Sequence, residues 1–204
     1  MGQLLKELNA DLTATVQKVR RSLVQISNGR GSQGAGTLWH KQGLVITNAH
    51  VIQDDAPQVT LADQRTFPAK VLAYDPQLDL AALSIQADDL PTIELGDSNS
   101  LQAGQLVLAL GHPWGVTGAV SAGPVINVGL PPEIGHLNRS FVQAGLQLRP
   151  GHSGGPLVDT DGRLVGINTM ITGPEVGLAI PIDAVKAFLR DKLGNNEESK
   201  SFAF

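Results

Sequence analysis

The sequence contains no cysteine, which excludes disulfide bonds and thiol nucleophiles and leaves the redox compartment open. No apolar run approaches the roughly 18 residues of a membrane-spanning helix, so no membrane span is expected. The first residues lack the basic stretch and apolar core of a signal peptide. Localisation is therefore left open between the cytoplasm and an extracytoplasmic site reached with a signal since removed. The net charge is only -4 over 204 residues, which gives no electrostatic footprint for nucleic acid. The histidines, His40, His50, His112, His136 and His152, form no tight ligand spacing such as His-x-x-x-His, so no metal and no cofactor is expected. No repeat recurs at a fixed period.

What is present reads as globular. Hydrophobic residues make up 42% and charged residues 17%, and a chain this long can bury a core without staples. Glycine is plentiful, at 23 residues, which suits an all-β protein with many turns. Leu4, Leu5, Leu8, Leu12, Val16 and Val19 recur every three to four residues and predict an amphipathic helix over 3–21. From Ser22 the texture changes to short apolar runs bounded by turn residues. They are Ser22–Ser27, Thr37–His40, Leu44–Thr47, Gln58–Leu61, Ala69–Tyr74 and Leu80–Ile85. After a weak break near Asp97–Gly104 come Leu106–Leu110, Val116–Ser121, Pro124–Val128, Ser140–Ala144, Pro156–Val158, Leu164–Met170 and Val176–Ile180. Strands at such spacing argue for a sandwich or a barrel. Asp161-Gly162 predicts a two-residue hairpin loop. Pro181 opens a last helical pattern over 182–193, and Gly194 sits where it would stop. The tail over 194–204 is polar but ends in the apolar Ser201-Phe202-Ala203-Phe204.

Three local signals carry chemistry. His50 ends the buried run Leu44–Val51, and alone it would more often be a surface or satisfied core histidine. Asp79 opens the run Leu80–Ile85, and alone it would be a turn residue. A buried carboxylate needs a partner, and a histidine supplies one. Ser153 stands in Gly151-His152-Ser153-Gly154-Gly155-Pro156, where flanking glycines let backbone approach a substrate. Amides at Gly151, His152 and Ser153 are the candidate oxyanion donors. Together the chain order is His, Asp, Ser, the chymotrypsin-type order of a nucleophilic triad.

The chain resembles the trypsin-like protease domain of the HtrA (Deg) family. The matching stretches are Gly34–Thr37, Gly43–Val51, Asp79–Leu83, Leu95–Ser98, Val107–Gly111, Gly151–Leu157, Val165–Thr169 and Gly177–Pro181. The resemblance implies an all-β fold of two six-stranded antiparallel β-barrels, with a helix at each end of the domain. The first barrel would span about 22–98 and the second about 104–181. The triad would lie between them, with His50 and Asp79 from the first and Ser153 from the second. It implies a serine endopeptidase acting on polypeptide substrates, and a homotrimer through the N-terminal region. The aromatic contacts often used for that trimer are not evident. The family commonly has Asn before the serine where this chain has His152. No PDZ pattern follows Leu193, so gating through such a domain is not expected.

By analogy the pocket walls come from Leu148, Ile167, Asn168, Thr169, Leu178 and Ala179. They are apolar or neutral, and no Asp stands where a Lys- or Arg-selecting pocket needs one. Cleavage after small or medium aliphatic residues is the expectation. Only neutral His50 can take a proton, so the rate should rise as a histidine deprotonates. The rival reading is a protease-fold chaperone or peptide-binding module that keeps the barrels without catalysis. A nucleotide site at Gly29-Arg30-Gly31-Ser32-Gln33-Gly34 matches Gly-x-Gly-x-x-Gly in letters only, because a strand pattern follows where a helix is needed.

Overall fold

A computed structural model describes residues 2–27, 33–53, 56–131, 137–173 and 175–194. The chain opens with helix α1 (Gly2–Arg20). Six strands follow: β1 (Leu23–Ser27), β2 (Gln33–His40), β3 (Leu44–Thr47), β4 (Gln58–Thr60), β5 (Thr66–Asp75) and β6 (Leu80–Ile85). They close a barrel in the order β1-β2-β3-β6-β5-β4, every pair antiparallel. A two-residue strand β7 (Glu94–Leu95) leads to the second set. That set is β8 (Leu106–Gly111), β9 (Ala119–Gly129), β10 (Phe141–Ala144), β11 (Pro156–Val158), β12 (Arg163–Ile171) and β13 (Gly177–Pro181). Its order is β11-β8-β9-β10-β13-β12, closed by pairing of β11 with β12, and β7 adds to β12 in parallel. The architecture is therefore two closed six-stranded antiparallel barrels, with α2 (Ile182–Leu193) packed on the second.

Burial explains the strand textures. All of β3 and nearly all of β6 is buried, because these strands face barrel core on one side and the second barrel on the other. By contrast β5 has one wet face and alternates. Leu44, Ile46, Leu80 and Ala82 of the first barrel share one cluster with Leu108, Leu110, Phe141 and Ile167 of the second and Phe188 of α2.

Three local expectations differ from the structure. The run Pro124–Val128 and the last three residues of Val116–Ser121 belong to one strand, β9, with a 3-10 turn at Pro113–Gly115 before it. Its first half pairs with β8 and its second with β10, and Pro124 marks the exchange. A proline, which cannot donate to a ladder, is tolerated where the partner changes. The Asp161-Gly162 hairpin has a wider loop, Asp159–Gly162, closed by Asp159 N–H on the Arg163 carbonyl at 3.0 Å and Gly162 N–H on the Asp159 carbonyl at 3.1 Å. Thirdly, β12 carries an irregularity: Asn168 pairs with Ala179 but Met170 pairs with Leu178, so Thr169 bulges. His136, the tail 195–204 and most of the Gly29–Gly34 stretch lie outside the described residues, although the strand expected after that stretch is present as β2.

Candidate active site

His50 sits in a 3-10 turn, Ala49–Val51, where β3 leaves the barrel. The preceding Asn48 is fully buried and donates from Nδ2 to the Asp79 carbonyl at 3.0 Å, which ties the two loops together. Asp79 lies in the turn before β6 at φ +54, a left-handed backbone that aspartate tolerates better than most residues. That turn is fastened by Asp75, whose Oδ1 accepts the amides of Gln77 and Leu78 at 3.0 Å each.

The Asp79 carboxylate is surrounded by donors. His50 Nδ1 lies 2.9 Å from Oδ1 and 3.0 Å from Oδ2. The His50 amide donates to Oδ1 at 3.1 Å, and Thr169 Oγ1 donates to Oδ2 at 2.6 Å. Burial by itself would push this carboxyl up. The hydrogen bonds from His50 and Thr169, with the charge of His50, outweigh burial and hold it below the usual aspartate value. Asp79 is thus an anion that accepts from Nδ1–H, which leaves Nε2 of His50 as the basic nitrogen. The imidazole is half exposed, at 50%, and so open to a substrate.

Ser153 follows a tight turn, Arg149-Pro150-Gly151-His152. The His152 amide donates to the Arg149 carbonyl at 2.9 Å, and Gly151 has φ +103. Proline followed by a residue of positive φ is the signature of a type II turn. Glycine is required at the second place: a Cβ on Gly151 would lie 2.5 Å from the His112 carbonyl oxygen. The Ser153 hydroxyl donates to the Thr169 carbonyl at 3.1 Å, and the Ser153 carbonyl accepts the Ala35 amide of the first barrel at 2.9 Å.

The turn corrects one expectation. The His152 amide is not an oxyanion donor, since it closes the turn onto Arg149. No described partner takes the amide hydrogens of Gly151 or Ser153, which remain free beside the Ser153 hydroxyl.

The pocket also needs correcting. A cavity of about 400 Å³ is lined by His50, Leu148, Arg149, Pro150, His152, Ser153, Thr169, Met170 and Ile171. Of the expected wall residues, Leu148 and Thr169 line this cavity. Ile167, Asn168, Leu178 and Ala179 are instead core residues. Asn168 Nδ2 is spent on the carbonyls of Leu110 and Pro156 at 3.3 and 3.0 Å. The bulge at Thr169 brings the next residues, Met170 and Ile171, to the cleft, and no local sequence signal announces it. A larger hollow of about 580 Å³, between β7 and the β11–β12 loop, shares no lining residue with this cavity. Among the described residues no group of three or more His, Cys, Asp or Glu could hold a metal, and no helix is long and apolar enough to cross a membrane.

A two-barrel fold with a carboxylate–imidazole pair beside a serine loop has known counterparts. The family described as the trypsin-like peptidase domain matches residues 34–167. This chain belongs to the trypsin-like peptidase family. The peptidase domain is 41% identical over 164 residues to serine protease HTRA2, mitochondrial, of Drosophila willistoni, covering 78% of this chain and 38% of that protein. It is 37% identical over 177 residues to the protein of the same name in Drosophila virilis, covering 84% and 42%. The chain spans about two fifths of the length of these curated relatives. Among solved structures, the HtrA-type protease AlgW with tripeptide superposes with a TM-score of 0.84 at 30% identity, covering 91% of this chain and 64% of that one. These relatives bear out the HtrA resemblance carried by the motifs.

Proposed function

We propose that the peptidase domain is a serine endopeptidase that cleaves unfolded or damaged polypeptides by a His50–Asp79–Ser153 triad. The observation that carries this reading is the Asp79 carboxylate held by His50 Nδ1 at 2.9 Å and by Thr169 of the other barrel at 2.6 Å, beside Ser153. Ser153 Oγ swings from the Thr169 carbonyl towards His50 Nε2 as substrate enters. Catalytic hydrogen bonds commonly tighten only in that complex. His50 takes the hydroxyl proton as Oγ attacks the scissile carbonyl, then returns it to the leaving amine. Asp79 stabilises the imidazolium in between. The Gly151 and Ser153 amides receive the oxyanion, where one donor is worth about 2.7–4 kcal/mol of barrier.

The cavity walls support a preference on the acyl side of the cut. Leu148, Pro150, Met170 and Ile171 are apolar, and no carboxylate lines the cavity to hold a lysine or arginine. Small or medium aliphatic residues fit such walls. The test is an assay on an unfolded protein, and on a peptide library, with wild type and Ser153→Ala side by side. Wild type should cut after Val, Ala, Ile or Leu, and Ser153→Ala should be inert while folded. Undiminished turnover in Ser153→Ala refutes the nucleophile, and strict cleavage after Arg or Lys refutes the pocket.

A further inference from the structure

The turn that presents Gly151 rests on a histidine that the chemistry above leaves idle. His152 is only 3% exposed. The amide hydrogen of Arg149 points at its Nδ1, with the heavy atoms 3.1 Å apart, and the same nitrogen lies 3.2 Å from the Arg149 carbonyl. Nδ1 accepts the amide hydrogen only in the neutral ring with its proton on Nε2, a buried nitrogen with no partner among the described residues. The main-chain amide of the same histidine closes the turn onto the Arg149 carbonyl at 2.9 Å. Arg149 is thus held at its N–H by the imidazole and at its C=O by the backbone. The peptide group between Pro150 and Gly151 is fixed as a result, with the Gly151 amide left unclaimed. The site has little room to repack: a Cβ on the adjacent Gly111 would lie 2.6 Å from His152 Cα and 3.2 Å from Cδ2.

We propose that His152 is the positioning residue of the oxyanion turn, and that it acts only while Nδ1 is unprotonated. The proposal rests on the endopeptidase reading. A proton on Nδ1 would set one N–H against that of Arg149. The ring hydrogen would turn instead to the Arg149 carbonyl, 3.2 Å away, which also accepts the His152 amide, and the Arg149 N–H would lose its acceptor. Apart from that carbonyl, the charged and titratable groups facing the ring give a cation no help. Arg149 is a cation on the same turn. His112, at the end of β8, is a second buried imidazole whose amide donates to the Gly151 carbonyl at 2.8 Å. His50 stands across the cavity, whose lining includes no carboxylate. Burial, joined by the Arg149 charge, holds His152 below the usual histidine value against the opposing hydrogen bond to Arg149. The turn is therefore set at neutral pH and released on the acid side.

The experiment measures kcat and KM against pH for wild type, His152→Ala and His152→Asn, with labelling of Ser153 by a serine-directed phosphonate. His152→Ala should lose about 10²-fold in kcat with little change in KM, as expected for a displaced oxyanion donor. His152→Asn should recover most of that loss, because its amide oxygen can accept the Arg149 hydrogen and cannot titrate. On the acid side, log kcat of wild type should fall more steeply than that of His152→Asn, by the one proton that His152 takes up. Wild-type kcat in His152→Ala, no recovery in His152→Asn, or an acid limb in His152→Asn as steep as that of wild type each overturns the positioning role. A wild type that neither cleaves nor labels overturns the endopeptidase reading itself, and the positioning role with it.

Discussion

Thr169 meets the proposed triad twice: its hydroxyl donates to Asp79 at 2.6 Å, and its carbonyl accepts Ser153 Oγ at 3.1 Å. Both contacts follow from the bulge in β12, which turns this residue out of the ladder. Thr169→Val keeps the shape and removes the donor, leaving a largely buried carboxylate oxygen short of one hydrogen bond. A hydrogen bond to a charged group is worth about 1.5–3 kcal/mol. The expected outcome is a kcat lowered about tenfold or more with KM nearly unchanged, while Thr169→Ser stays near wild type. Steady-state kinetics on a short peptide checks it, and equal kcat in both variants would rule the contact out. At this scale His50, Asp79 and Ser153 are legible in sequence, because each sits in a local motif with its own strand and turn signals. The Thr169–Asp79 contact is not legible. It joins residues 90 apart through a bulge that no local pattern encodes. The same bulge explains why the expected pocket wall fell short of Met170 and Ile171.

Among the elements, α1 is divided by its packing. Leu4 is 75% exposed and Leu5 and Leu8 are exposed too, while Leu12 and Val16 are partly buried and Val19 is fully so. The second half is also tied by polar contacts. Thr15 Oγ1 donates to the Thr160 carbonyl at 2.9 Å, Lys18 Nζ pairs with Glu94 at 2.9 Å, and Arg20 Nε donates to the Gly118 carbonyl at 2.8 Å. Stability should follow burial rather than hydrophobicity. Val19→Ala should cost about 2 kcal/mol, counting two buried methyl groups and the cavity they leave. Deleting residues 2–8 should cost less than about 0.5 kcal/mol, because none of them is buried. Urea denaturation of the two variants checks the contrast, and a larger loss from the deletion would contradict it. Periodicity alone predicts this helix yet ranks its leucines equally, since spacing shows which residues share a face but not whether another element covers it. The merged strand β9 has a similar cause: Gly123-Pro124 reads locally as a break, and only the change of partner strand makes it continuous.

Across the whole molecule the barrels are joined through their cores as well as by the Thr169–Asp79 hydrogen bond. Leu44 and Ile46 pack in one cluster with Leu108, Leu110 and Phe141, and Thr37 Oγ1 donates to the Gly154 carbonyl at 3.3 Å across the junction. A continuous core of this kind should unfold in one step. Each barrel holds one tryptophan, Trp39 in β2 and Trp114 after β8, so Trp39→Phe and Trp114→Phe report the barrels separately. Their urea midpoints should coincide once corrected for any shift in overall stability. Asp79 adds a pH dependence of known sign. The Asp79 carboxyl is held below its ordinary value in the folded chain, so on acidification the unfolded chain takes up its proton first. The stabilisation from its hydrogen bonds is full above about pH 4, the ordinary carboxylate range, and is lost as pH falls through the lower folded value. Asp75, depressed first by the Leu78 amide, contributes in the same direction. The urea midpoint should therefore drop between pH 5 and pH 3, and drop less in Asp79→Asn, which has no carboxyl to protonate. An equal drop in that variant would assign the acid sensitivity to carboxylates outside the cleft.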